Sequence, residues 1–336
     1  MMDKVLVTGA SGYIALHCIS ELLKKGYAVK GSLRNLDREE EVRSSIKKEV
    51  ADDNLEFCKL NLLSDDGWID AMQGCDYLLH MASPFITYEP KNEDDLIRPA
   101  KEGTLRALKF AKDAGVKKVV LTSSVAAIAY GHEKSICGPS DWSDINQNIG
   151  AYTKSKTIAE RAAWNFINSQ EQKNMAMTTI HPGLVLGPLL SDDIDGASAD
   201  IMNKLITGQF PGNPNLNFTI VDVRDVALLH VKAISSDESN GKRCLTTSKD
   251  YLHMSKLSSI LREGGYKKAP SKNIPNFIVK FLALFSSEMK GVARNLDRKY
   301  EVDISETISL FNWKPIEIKK TILDMAASVQ NILENK

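Results

Sequence analysis

Short apolar runs alternate with segments of helical period through the first half of the chain. "KVLVTG" leads into "YIALHCISELLKKG", where Ile14, Cys18, Leu22 and Leu23 fall on one helical face. A strand in "YAVKGSLR" and a charged helix in "REEEVRSSIKKEVAD" follow, then "LEFCKLNL", "DGWIDAMQGC" and "DYLLHMASP". A helix through "RPAKEGTLRALKFAKDAG" feeds the run "VKKVVLTSS", and one through "KSKTIAERAAWNFI" feeds "MAMTTIHPGLVLGP". Strand and helix in strict alternation, five or six times over, predict an α/β fold with a doubly wound parallel sheet and helices on both faces.

The rhythm breaks after Pro188. "LLSDDIDGASAD" and "TGQFPGNPNLN" are turn-rich, "FTIVDVRDVALLHVKAIS" reads as one more strand–helix unit, and the last hundred or so residues mix short helices with loops. The pattern therefore predicts a main domain over 1–188 plus about 218–236, and a smaller, interleaved C-terminal lobe over 189–217 plus 237–336. The apolar stretch "FIVKFLALF" (277–285) is interrupted by Lys280 and is far shorter than a membrane span, so it reads as an amphipathic helix.

Composition narrows the classes. With 336 residues, 43% of them hydrophobic, the chain can bury a sizeable core. Lys plus Arg equal Asp plus Glu at 43 each, so bulk charge favours neither nucleic acid nor an anionic membrane as a partner. "MMDKVLVTGA" leaves no room for a secretory apolar region. Cys18, Cys58, Cys75, Cys137 and Cys244 are scattered and odd in number, which predicts reduced thiols of a cytoplasmic protein and no metal site. The expected partner is a small-molecule carbonyl substrate, and the expected state a monomer or homodimer.

Candidate chemistry begins at "TGASGYIALH". Gly9 and Gly12 lie between a strand and a helix, the context of a Rossmann-type dinucleotide cradle. Gly9 allows the tight turn, Gly12 lets backbone approach a pyrophosphate, and the helix start supplies N–H groups and positive dipole. Ala15 stands where a third glycine often lies, but that position serves helix–strand packing and tolerates a methyl group. At the end of the second strand, "KGSLRNLDR", no acid precedes Asp37. Arg34 stands where a ribose 2′-phosphate would sit, with Arg38 as a second cation, so NADP(H) is expected rather than NAD.

"AYTKSK" places Tyr152 and Lys156 four residues apart on one helical face, and "LTSSVAAI" ends a buried strand in Ser123 and Ser124. Ligands of parallel sheets bind at the carboxyl ends of strands, where Ser124 can meet the tyrosine. A phenol is a poor acid near neutrality unless a neighbouring ammonium stabilises its anion, and a serine hydroxyl can hold the oxygen where charge develops. The set predicts hydride transfer to a carbonyl with Tyr152 as proton donor.

These motifs, together with "LLHMASPF", "HPGLVLGP" and "VDVRDVALLH", occur in the order of extended short-chain dehydrogenases/reductases, and the chain resembles their dihydroflavonol-4-reductase-like subgroup, which includes methylglyoxal-type aldehyde reductases. The resemblance covers residues 3 to 235 well and the C-terminal hundred loosely. It implies Ser124, Tyr152 and Lys156 as the catalytic three. It also implies the stretch Gly9, Ala10, Ser11, Gly12, Tyr13 and Ile14 around the pyrophosphate, and Arg34 and Arg38 on the 2′-phosphate. Asn61 and Leu62 would meet the adenine, Ala82 and Ser83 the cofactor, Val185 the carboxamide, and Ser198 a further cofactor contact. The rival expectations are an NAD-dependent nucleotide-sugar epimerase or dehydratase, against which Arg34 counts, and a non-catalytic NADP-sensing regulator, against which the intact Tyr–Lys pair counts. His80, His181, His230, Asp222 and Asp225 read as structural. Phe85, Tyr130, Trp142 and Phe210 are the expected apolar lining of the substrate pocket.

Overall fold

The computed structural model describes residues 2–84, 86, 88–169 and 175–335. Phe85, one of the expected pocket residues, lies outside them. Seven parallel strands form the central sheet: β1 (Lys4–Thr8), β2 (Ala28–Leu33), β3 (Leu55–Lys59), β4 (Tyr77–His80), β5 (Lys118–Thr122), β7 (Ala176–Pro182) and β11 (Arg243–Thr246). The numbering leaves β6 (Ile136–Cys137), β8 (Leu184–Leu186), β9 (Asn217–Phe218), β10 (Ile220–Asp222), β12 (Leu252–His253) and β13 (Glu301–Val302) for three two-stranded pairs outside it. The sheet order is β11-β7-β5-β4-β1-β2-β3, so the winding reverses between β1 and β4. A crevice opens beyond the carboxyl ends of strands at such a reversal.

Side-chain alternation divides the core into two layers. Val5, Val7, Leu79 and Val120 face α1 (Tyr13–Lys24), α2 (Glu39–Lys47) and α7 (Val223–Ser235), where they join Cys18, Ile19, Val42 and Leu229. Leu6, Leu78, Val119 and Leu121 point the other way, to α3 (Trp68–Met72), α4 (Asp94–Asp113) and α5 (Ala151–Asn168), where they meet Leu108, Ala111 and Ala163. Each of these fully buried Val or Leu side chains contributes about 1.5–3 kcal/mol. A sheet buried on both faces explains why its strands read as continuous apolar runs.

A third core belongs to the later chain. There α6 (Ala197–Thr207), α8 (Met254–Glu263) and α12 (Ile318–Glu334) bury Met202, Leu205, Leu257, Leu261, Ile322 and Met325 together. The helices α9 (Asn276–Leu282), α10 (Ser287–Arg294) and α11 (Ser305–Phe311) complete the chain. One expectation is corrected. Arg243–Thr246, placed in the lobe by its position after the turn-rich stretch, is the seventh strand of the main sheet, paired with β7 from Arg243↔Thr179 to Thr246↔Pro182. The stretch "FTIVDVRDVALLHVKAIS" folds into the expected strand and helix, with β10 paired to β8 and α7 packed on α1.

Candidate active site

A cavity of about 1190 Å³ occupies the crevice beyond β1 and β4. Its floor is the turn from β1 to α1. Gly9 adopts φ +73°, and a Cβ there would come within 3.2 Å of Ala82 Cα, so glycine is required both for conformation and for the approach of the β4 end. The Thr8 hydroxyl accepts the Met81 and Ala82 N–H groups at 3.0 Å and lies 2.9 Å from His80 Nδ1, which locks the two strand ends together. Helix α1 starts at Gly12 with no side-chain cap and no acid in its first turn. Its free N–H groups and positive dipole end face the cavity, a fit for the pyrophosphate of a dinucleotide.

Both arginines after β2 line the same cavity, but they differ. The Arg38 guanidinium is held by Glu41 in a two-pronged contact of 2.8 and 2.7 Å, with Ser11 Oγ at 3.2 Å. Arg34 is exposed and makes no hydrogen bond or ion pair with a described residue, so its fork remains open to a ligand phosphate. Asn61 and Leu62 lie on the wall, with the Asn61 side-chain oxygen already accepting the Leu63 N–H at 3.0 Å. Ser11, Tyr13, Ile14, Ala82, Ser83, Val185 and Ser198 line the cavity too. Ala10 does not: it is fully buried under Gly31, where an added Cβ would lie 2.8 Å from its methyl group. The turn directs residue 10 into the sheet and its neighbours outward.

Ser124 and Tyr152 line the same cavity and share a hydrogen bond. Ser124 follows β5 and caps a short helical turn, its Oγ accepting the Ala126 N–H at 3.1 Å. Burial raises the Tyr152 hydroxyl above the ordinary phenol range, and its hydrogen bond with Ser124 works against that rise. Lys156, one turn further along α5, is set behind the cavity wall with Nζ 3.3 Å from the Thr122 carbonyl oxygen. Burial pulls its ammonium down to about 8, against the pull of Glu160, so it stays largely protonated at neutral pH.

The tyrosine helix is fixed from outside itself. Glu89 accepts the Ala151 N–H at 2.9 Å, capping α5 from the β4–α4 loop, and Arg294 of α10 holds Glu89 at 2.9 Å. Behind Lys156, buried Glu160 joins four elements. Its Oε2 accepts Ser123 Oγ at 2.6 Å and lies 2.8 Å from His181 Nε2, while Oε1 receives Arg243 Nε at 2.7 Å and Trp164 Nε1 at 3.1 Å. Burial pushes this carboxyl up, but His181 and Arg243 outweigh burial and hold it well below the usual carboxylate range. Arg243 also bonds the Pro139 and Asp141 carbonyl oxygens at 2.6 Å and stacks over Trp142 at 3.8 Å. Sequence spacing alone missed Glu160, because His181 and Arg243 come from β7 and β11 and Ser123 from just past the end of β5.

The substrate wall differs in part from the expectation. Tyr130 lines the cavity, whereas Trp142 packs between Arg161 and Arg243, and Phe210 joins the lobe core. In their place come Asn217, Thr219, Arg298 and Tyr300, with the Arg298 guanidinium 3.4 Å from the Tyr130 ring centroid. The expected structural residues are tied into the fold. His230 lies 2.8 Å from Thr122 Oγ1, Asp222 caps α7 and is held by Arg224 at 2.7 Å, and Asp225 accepts the Ile316 N–H at 2.8 Å.

A glycine turn, a helix start free of acids, an open arginine and a Ser–Tyr pair around one cavity, with Lys156 behind its wall, define a Rossmann-type NADP-dependent oxidoreductase. The chain belongs to the NAD dependent epimerase/dehydratase family, which matches residues 5–244. Cinnamoyl-CoA reductase CAD2 of Medicago truncatula is 36% identical over 319 residues, 90% of this chain and 94% of that one. The bifunctional dihydroflavonol 4-reductase/flavanone 4-reductase of Pyrus communis is 28% identical, covering 88% of this chain and 82% of its own length. Among solved structures, yeast methylglyoxal/isovaleraldehyde reductase Gre2 complexed with NADPH matches with a TM-score of 0.81 at 25% identity, over 99% of this chain and 100% of that one.

Proposed function

We propose that the protein reduces an aldehyde or ketone to the alcohol at the expense of NADPH, with Tyr152 as the proton donor. The observation that carries this reading is the hydrogen-bonded Ser124–Tyr152 pair on the same cavity that the glycine turn and the open Arg34 line. Gly9, Ser11, Gly12, Tyr13 and Ile14 would hold the pyrophosphate, and Arg34 the 2′-phosphate. Asn61 and Leu62 would flank the adenine, with Ala82, Ser83, Val185 and Ser198 along the rest of the cofactor. Arg38 plays a supporting part, since Glu41 already occupies its fork. NADPH supplies the hydride when bound.

The chain's own residues do the remainder. Ser124 Oγ holds the substrate oxygen, and Tyr152 Oη gives that oxygen a proton. The Lys156 ammonium, desolvated beside the Thr122 carbonyl, stabilises the phenolate left behind. Residues 1–188 with about 218–236 form the cofactor domain, extended by β11, and the later lobe supplies Asn217, Arg298 and Tyr300 to the substrate wall. Five free cysteines suit a reducing cytoplasmic setting, where the protein acts as monomer or homodimer.

The test is consumption of NADPH and of NADH by purified protein with a panel of aldehydes and ketones, beside nucleotide sugars. Carbonyl-dependent oxidation that prefers NADPH supports the reading. Turnover of a nucleotide sugar without net cofactor oxidation would favour epimerase chemistry and overturn it.

A further inference from the structure

The surface of α9 and the turn after it carries apolar side chains left exposed among the described residues. Phe277, Ile278, Phe281, Leu282, Leu284 and Phe285 are all exposed, from 38% at Ile278 to 78% at Phe285, and together they account for nearly half of the exposed large hydrophobics among the described residues. Their spacing puts them on one outward stripe, while Val279 and Ala283 turn inward. Phe281 and Phe285 pack edge to face with ring centroids 5.5 Å apart, which extends the stripe past the helix end. A contiguous apolar patch of this kind on a soluble fold marks an interaction surface.

Charge selects the partner. Between Glu263 and Glu288 the chain has four lysines, Lys267, Lys268, Lys272 and Lys280, and no acidic residue, although the whole protein is neutral. All four are exposed, and none forms a salt bridge with a described residue. Lys280 stands on α9 itself and Lys272 four residues before its start, while the acids next to the stripe are already engaged, Glu288 with Lys204 at 3.4 Å and Asp297 with the Asn215 and Asn276 side-chain amides. An aromatic-rich apolar stripe with lysines free of ion pairs beside it is complementary to an anionic lipid surface: the rings enter the headgroup boundary while the ammonium groups meet lipid phosphate and carboxylate. A second copy of the chain would bring the same lysines face to face, which disfavours self-association through this surface.

We propose that the face built by α9 docks the protein peripherally on anionic membranes. This departs locally from the expectation drawn from bulk charge, and it does not depend on the catalytic reading. Helix α10, which packs on α9, lines the cavity with Gly291 and Val292, so docking would set the cavity mouth beside the bilayer, where apolar carbonyl compounds concentrate.

The test is sedimentation of the full chain with vesicles of phosphatidylcholine alone and with roughly one third phosphatidylserine. At least about tenfold stronger binding to the anionic vesicles is expected, weakened by salt and lost in a Phe281→Glu/Phe285→Glu variant. Neither phenylalanine lines the cavity, so the variant should retain its turnover of a water-soluble substrate. Absence of binding to anionic vesicles, or binding that survives the double substitution, overturns the proposal. So does light scattering that shows a dimer dissociated by the same substitutions without vesicle binding, since a second copy would then be the occupant.

Discussion

Glu160 offers a quantitative test of how the catalytic helix is held. Glu160→Ala removes the acceptor of Ser123 Oγ, Trp164 Nε1 and Arg243 Nε, and the partner of His181 Nε2. Arg243, its side chain only 10% exposed, would keep the Pro139 and Asp141 carbonyl contacts but lose the one carboxylate it meets among the described residues. Removing one member of a buried ion pair costs about 3–5 kcal/mol, because the other charge is left uncompensated. For a chain of 336 residues the unfolding entropy near the midpoint is about 0.7 kcal/mol per kelvin, so a loss of about 4 kcal/mol lowers Tm by about 6 °C. Replacing both partners with apolar residues, Glu160→Met with Arg243→Met, should recover much of that loss, since no charge is then stranded. Scanning calorimetry of the single and double variants reads both effects. A Glu160→Ala variant within about 1 °C of the parent, or a double variant that loses the sum of its singles, would refute the account of a buried ionic hub.

Three further outcomes are expected. Arg34→Ala should weaken NADPH binding by about 10- to 150-fold, the worth of about 1.5–3 kcal/mol for charged hydrogen bonds, and leave NADH binding unchanged by fluorescence titration. The activity kcat/KM should fall as pH rises through about 8, because the Lys156 ammonium lowered by burial is lost there; a profile flat to the ordinary lysine range would contradict that role. Burial holds His80 near 3 and His17 and His230 near 4, below the ordinary 6.5, so the unfolded chain binds their protons first and stability is lost as pH falls below about 6.5. Each should cost about 2 kcal/mol between pH 7 and pH 5, which urea titrations at the two values would detect.

The cofactor half of the fold was legible because each of its elements carries a local signal. Buried strands such as β1 and β5 are continuous apolar runs, the β1–α1 turn needs glycine at position 9, and Tyr152 and Lys156 share a helical face by spacing alone. What escaped depends on contacts distant in sequence. Glu160 is one acid on a mixed helix until β7 and β11 bring His181 and Arg243 to it. Residues 243–246 follow a turn-rich stretch, and only pairing with β7 makes them the last strand of the sheet. Ala10 looked like its neighbours in the turn, yet the tight turn at Gly9 sends it under Gly31. The substrate wall was least legible: aromatic residues are spread through the lobe, and neither Trp142 nor Phe210 differs locally from Tyr300, which does reach the cavity.

The central claim is that Tyr152 delivers the proton that completes carbonyl reduction. The most direct measurement is the steady-state rate of NADPH oxidation by Tyr152→Phe beside the parent, with an aldehyde the parent reduces and with NADPH binding checked by titration. The account predicts a fall in kcat of about 10²- to 10⁴-fold with NADPH affinity retained, the range expected when a positioned general acid is removed. A variant that turns over at the parent's rate would contradict it.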